Sequence, residues 1–287
     1  MQYRIWSILL LVGALSACGT ETLEAAGADT GDAAAQSSAK GTDASTNELF
    51  QERPHLAIVN GAQAATIEIS LPKSMDSLHP GLAEEIRSRA NRGTEAFIAA
   101  AEADRESAAS EGFDFRPHSL DVSWIEVGPK EGRLAGFLGT YATYTGGAHP
   151  NVGFDVLNWD RETSTIITFE DLFENEDGAR QTMADALKAG LLEQKRIRLE
   201  GTGVSEIQMM DAWVSPAFEG NAGVFRGFTV ASSTVPDRAG GLIYHFAPYE
   251  VGAYAEGVYT VGVGHEEFDD ELKAEFRDAF GGEMKMP

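Results

Sequence analysis

The chain is predicted to fold as an α+β protein, with antiparallel sheets and packed helices in two small subdomains that share a core. Three observations carry this. Ala65 to Leu71 alternates Ile67, Ile69 and Leu71 with Thr66, Glu68 and Ser70, the period of a half-buried strand, and an amphipathic helical stretch follows it. Residues 120–167 then hold apolar runs separated by short turns rich in Gly, Pro and Asp, as antiparallel hairpins require. No regular strand–helix–strand alternation sets in, which argues against a doubly wound parallel sheet.

The elements follow in order. After the first strand, His79-Pro80 opens a segment in which Leu82, Ile86, Ala90, Gly93, Phe97 and Ala100 recur three or four apart, predicting one helix to about Arg105. Proline suits the first helical turn, and Glu84 and Glu85 near the start complement the helix dipole. Leu120, Val122 and Trp124 alternate on a second strand. The turn from Gly128 to Gly132 leads into a third over Leu134 to Tyr144, and Val152 to Trp159 is a fourth. Asp160 to Thr163 turns the chain into Ser164 to Ile167, after which Thr168-Phe169-Glu170-Asp171 has capping-box spacing. Glu176 to about Arg198 reads as a helix with Met183, Leu187 and Leu191 on one face and Lys195, Arg196 and Arg198 in its last turns, the sign a helix C-terminus favours. Strands are expected at Val224 to Val230, Leu242 to Phe246 and Val258 to Val263. Phe268, Leu272, Phe276 and Phe280 recur every four residues, predicting a final helix stopped at Gly281-Gly282.

The first residues differ in kind. Arg4 precedes the apolar run Ile5 to Val12, and Leu15-Ser16-Ala17 leads to Cys18, the only cysteine of the chain. A basic start, a short apolar run and small residues before a cysteine form a secretory signal with a lipobox-like end. The run is too short to cross roughly 30 Å of hydrocarbon. Residues 1–17 are therefore expected to be a lipoprotein signal peptide, with Cys18 the lipidated first residue of an extracytoplasmic protein facing the periplasm or the cell surface. Residues 18–47, rich in Ala, Gly, Ser, Thr and Asp, read as a disordered tether, because they cannot bury enough apolar surface to offset the entropy of ordering. The folded part divides at about residue 128 into an N-terminal subdomain, 48–128, and a C-terminal domain, 129–287.

With a formal net charge of −23, the chain is a poor partner for nucleic acid or an anionic surface and is suited to a cationic one. The six histidines, at 55, 79, 118, 149, 245 and 265, include no pair three to five residues apart, so a helix-borne metal site is not expected. His265-Glu266-Glu267 begins like a zinc-protease helix, but Asp269 stands where the second histidine belongs. Nucleophile-elbow, phosphate-loop and dinucleotide glycine patterns are missing too. No cofactor or metal is expected, and a binding protein is favoured over an enzyme.

Two loops stand out. Tyr144-Thr145-Gly146-Gly147-Ala148-His149-Pro150-Asn151 joins two strands through paired glycines, which permit close approach or a tight turn. Pro248-Tyr249-Glu250-Val251-Gly252-Ala253-Tyr254-Ala255-Glu256-Gly257 sets two tyrosines beside glycine turns. Tyrosine is a rigid amphipathic contact residue. Both loops are expected to join strands of one sheet and to share one face. The residues expected to bind ligand are Tyr144, Gly146, Gly147, His149, Asn151, Tyr249, Glu250 and Tyr254, and none is expected to be catalytic.

The motifs YTGGAHPN at 144–151, TFEDLF at 168–173 and FAPYEVGAYAEG at 246–257 resemble the C-terminal domain shared by PdaC-type peptidoglycan deacetylases and RsiV-type anti-sigma factors. The stretch from about His55 to Val127 is similar to the smaller domain that precedes it in both. The deacetylase chemistry of such enzymes resides in a separate domain with paired histidines, which this chain lacks. RsiV-type proteins bind a sigma factor through a cytoplasmic segment, which here would be cleaved with the signal. What the resemblance implies is the shared extracytoplasmic module, which in RsiV-type proteins receives lysozyme, a cationic protein. The resulting expectation is a membrane-anchored cell-envelope module that binds a lysozyme-type protein or peptidoglycan. The alternative is a metal-independent enzyme acting on cell-wall glycan.

Overall fold

The computed structural model describes residues 64–220 and 222–286. The expected signal peptide, Cys18 and the expected tether lie outside the described residues. The architecture is α+β, with one five-stranded and one three-stranded sheet.

Strand β1, Ala65–Ser70, is followed by helices α1, Pro80–Ala90, and α2, Thr94–Glu111. The single helix expected from His79 to Arg105 is therefore two. Gly93 adopts φ +80°, outside helical geometry, and N-caps α2. The apolar spacing continued across the break because both helices cover the same sheet.

Strands β2, His118–Glu126, β3, Leu134–Tyr144, β4, Asn151–Asp160, and β5, Thr165–Ile167, complete the order β1-β2-β3-β4-β5. All pairs are antiparallel except β1·β2, which the two-helix crossover makes parallel. Because β2 pairs with β3 from Ser119 opposite Tyr144 to Glu126 opposite Phe137, the sheet runs across the boundary drawn at residue 128. Its inner face buries Ile67, Val122, Trp124, Phe137 and Leu157 against Leu82 and Ile86 of α1.

A second core lies around α4. The capping box at Thr168 forms as the spacing predicts and starts the single turn α3, Phe169–Leu172, after which α4 spans Glu176–Arg198. The chain continues through α5, Glu206–Met209, a π-helical stretch, Met210–Val214, and α6, Ser215–Phe218, none of which stood out by periodicity. The strand expected from Val224 begins only at β6, Phe228–Ser232, because Ala222–Arg226 forms a 3₁₀ turn. Strands β7, Ala239–Phe246, and β8, Tyr259–Gly264, complete an antiparallel sheet of order β6-β7-β8.

Met183, Leu187 and Leu191 of α4 are buried with Phe228, Tyr244 and Val261. The final segment shares this core but is not the expected helix. It consists of 3₁₀ turns at His265–Glu267, Asp269–Glu271 and Arg277–Ala279. Its local backbone bonds close only single turns, and between them the segment bonds to other parts of the chain, Lys273 N–H donating to Leu172 O at 2.9 Å and Gly281 N–H to Ala239 O at 2.9 Å. Phe268, Leu272, Phe276 and Phe280 are all buried, so the fourfold spacing marks core contacts of a wrapping chain rather than a helical stripe.

The two sheets are stitched by one amide. Asn158 of β4 is buried, donates from Nδ2 to Phe228 O at 2.9 Å and accepts at Oδ1 from Val230 N–H at 2.8 Å. A side chain thus completes backbone pairing at β6, leaving neither group unsatisfied in the interior.

Candidate ligand-binding face

The two loops singled out above are carried by different sheets. The 144–151 loop joins β3 to β4, and the 247–258 loop joins β7 to β8. The expectation of one common sheet is corrected, yet the loops still meet. The His149 imidazole stacks on the Tyr254 ring with centroids 3.6 Å apart, and the Tyr254 hydroxyl donates to Pro150 O at 2.7 Å. Tyr249 lies beside Tyr254, ring centroids 5.7 Å apart.

Tyr249 is exposed, at 55%, whereas Tyr254 is half-buried. Its backbone sits at φ +74°, a left-handed conformation that a bulky residue seldom adopts. A tight local turn imposes it: Tyr249 N–H donates to Gly252 O at 3.1 Å, Glu250 N–H to Ala247 O at 3.2 Å, and Ala247 N–H to Glu250 Oε2 at 2.7 Å. Strain at an exposed aromatic residue is a mark of functional loops.

A buried ion pair underneath holds the loop. Lys195 Nζ lies 2.6 Å from Glu256 Oε2, with side chains 0% and 8% exposed. Glu256 also accepts from the Tyr259 hydroxyl at 2.6 Å and from Ala253 N–H at 2.7 Å. Burial alone would raise the Glu256 carboxyl; these donors and the Lys195 charge overcome it and hold it below the usual carboxylate range. Burial first, then the Glu256 carboxylate, raises the Tyr259 phenol. Arg198 lies over the Tyr259 ring at 3.9 Å and donates to Glu256 O and Val258 O, each at 2.6 Å. Gly252 lies so close that a Cβ there would come within 2.8 Å of both Lys195 Nζ and Glu256 Oε1, so any side chain would displace the ion pair.

Sequence reasoning missed this brace. By position Lys195 reads as a charge complementing the helix end, whereas it continues the buried stripe Met183, Leu187, Leu191 one turn further. A lysine in register with a core stripe is the signal that could have revealed its buried partner.

The remaining expected residues divide. Glu250 borders a cavity of ≈350 Å³ that His245 also lines. Its tip reaches solvent, yet the surrounding protein pushes its carboxyl above the usual range, against the lowering effect of the Ala247 N–H. Asn151 is exposed and pairs with Thr143 at the start of β4. Gly146, at φ +87°, and Gly147 are exposed, and a Cβ on either would meet open space. Tyr144 stands apart from the stacked rings, its hydroxyl against the Arg116 guanidinium, and Gly146 borders a recess with Arg116, Asp104 and His118. The face is thus His149, Tyr249 and Tyr254, with Glu250 at its edge.

Among the described residues no group of His, Cys, Asp and Glu side chains is placed to hold a metal ion, and no helix is long and apolar enough to cross a membrane.

Residues 58–152 match the family model described as Deacetylase PdaC, so the chain carries a PdaC-like domain, a match that suggests a cell-envelope-associated domain. Among curated proteins none matches the chain. Among solved structures, a DUF3298 family protein from Pseudomonas aeruginosa PAO1 is similar at 18% identity and a TM-score of 0.48, covering 80% of this chain and 94% of that one. A member of the same family from Bacteroides fragilis NCTC 9343 is similar at 13% identity and a TM-score of 0.48, covering 78% and 92%.

Proposed function

We propose that the protein is a lipid-anchored, extracytoplasmic binding module of the cell envelope. Its ligand is a lysozyme-type protein or peptidoglycan, received on the face built from His149, Tyr249 and Tyr254. The observation that carries the reading is the stack of His149 on Tyr254, which fixes two loops from separate sheets into one aromatic surface with Tyr249 foremost. Rigid aromatic anchors on a pre-set loop lose little entropy on binding, which suits a recognition surface. The net charge of −23 favours a cationic protein and adds long-range attraction to the contact itself.

Titration of the purified protein with a lysozyme-type protein, and separately with soluble peptidoglycan fragments, tests the reading. Saturable binding of at least one is expected. Binding of the cationic protein should weaken as salt rises, because screening shortens the reach of surface charge. Absence of saturable binding to both would overturn the proposal.

A further inference from the structure

Beside the loop face, two adjoining cavities of ≈350 and ≈250 Å³ share Gly223, Gly227, His245 and Glu250 in their walls. Phe154 and Arg226 border the smaller one. Glu250 is shared with the edge of the loop face, whereas His245 belongs to the cavities alone. His245 is buried, bonded through Nε2 to Thr229 Oγ1 at 3.0 Å, with its ring 5.7 Å from that of Phe154. Burial lowers its pKa to about 4, so at neutral pH the imidazole is uncharged, and with Nε2 engaged by Thr229 it keeps Nδ1 for one further hydrogen bond. Glu250 uses Oε2 to accept from Ala247 N–H.

The charges restrict what can enter. Glu250 and Asp155 are acidic, and Asp155 is occupied by Arg89 at 2.8 Å. The one arginine at the rim, Arg226, is committed through Nε and Nη2 to Glu170 Oε1. An anion would therefore meet uncompensated carboxylate. A wholly apolar ligand would strip water from Glu250 and His245 without replacing its hydrogen bonds, which is unfavourable. What fits is an uncharged molecule with several hydroxyl groups and an apolar face to set against Phe154.

We propose that these cavities form a subsite for a neutral sugar ring, with Glu250 and His245 binding its hydroxyl groups and Phe154 lying against its C–H face. The combined space lies in the range of small-ligand sites. The subsite deepens the glycan side of the function proposed above and rests on that reading only for the choice of probe.

The test is an NMR titration of the whole protein with N-acetylglucosamine and, separately, with inorganic phosphate, following the ring protons of His245 and Phe154. Saturable shifts at both rings are expected with the sugar in the millimolar range, and none with phosphate. At Gly227 an added Cβ would make ordinary contacts, with Val224 O at 3.6 Å and His245 O at 3.7 Å, so a small branched side chain is the substitution to place in the shared wall. Gly227→Val is expected to weaken sugar binding at least tenfold with the melting temperature unchanged. Phe154→Ala should do the same by removing the platform, and it carries the test if the valine variant fails to fold. Tyr249→Ala should leave the sugar titration in place while impairing the loop face, so failure of either proposal is read separately. Wild-type sugar affinity in both cavity variants, no saturable shift, or preference for phosphate would overturn the subsite.

Discussion

The His149 imidazole lies nearly parallel to the Tyr254 ring, 19° between planes, while the Tyr254 hydroxyl bonds the carbonyl of the residue that follows His149. One tyrosine therefore grips the β3–β4 turn twice, by face and by edge. Stacking of this kind is worth about 0.5–1.5 kcal/mol beyond area, and an exposed hydrogen bond about 1 kcal/mol or less. Tyr254→Phe should retain the stack and lose the bond, whereas His149→Ala loses the stack. Both are expected to accelerate amide hydrogen exchange over 145–150, with the alanine variant faster. Unchanged exchange would mean that each loop is held by its own strands.

Tyr249 separates stability from recognition. Its left-handed backbone costs a residue with a Cβ about 1 kcal/mol, which glycine escapes. Tyr249→Gly is expected to be more stable than Tyr249→Ala by about that amount in denaturant unfolding. Both should lose about 2 kcal/mol of binding to the ligand of the face, as loss of a central aromatic anchor does. Equal affinity of wild type and both variants would remove Tyr249 from the contact.

Lys195→Met should cost about 3–5 kcal/mol, because it leaves the Glu256 carboxylate buried without its cation. Since Glu256 titrates below the usual range in the folded protein, its contribution is present above the unfolded value of 4.5 and is lost as pH falls through the folded one. Glu256→Gln should accordingly flatten the acid limb of the stability curve. A Lys195→Met loss below about 1 kcal/mol would mean that water reaches the pair.

His245 gives a second acid dependence at higher pH. Its folded pKa of about 4 lies below the ordinary 6.5, so the unfolded chain takes up a proton first as pH falls. The stability that neutral His245 allows is complete above pH 6.5 and declines between 6.5 and 4, by roughly 3 kcal/mol over the whole window. Urea unfolding at several pH values should show a steeper decline for wild type than for His245→Gln. Parallel curves would show that the imidazole is solvated.

Cys18→Ser tests the anchor. Two or more acyl chains, at about 0.8 kcal/mol per buried CH₂, make attachment effectively permanent. The variant is expected to remain uncleaved or to appear in the soluble fraction. Fractionation with membranes at the same mature mass as wild type would overturn lipidation.

Much of the fold was legible where one periodicity acted alone. Strand β3 and helix α4 begin and end where the preceding turn and helical spacing place them. Periodicity failed where a segment is buried without being regular: the fourfold spacing of Phe268, Leu272, Phe276 and Phe280 records contacts with several elements. Strand direction leaves no trace in alternation, so the parallel pairing of Ala65–Ser70 with β2 was invisible. Composition brought forward His149, Tyr249 and Tyr254, but not Pro150 O as the acceptor of the Tyr254 hydroxyl. Tyr144 reads as part of the same aromatic run, yet it lies apart, beside Arg116.

Asn158 gives the face a condition for existing. Each sheet supplies one loop, and this amide is a fastening between the sheets. A chain with only one sheet formed would carry half a surface, with either His149 or Tyr254 lacking its counterpart. On the binding reading proposed above, the face would then act as a coincidence detector for folding, competent only when both halves have docked.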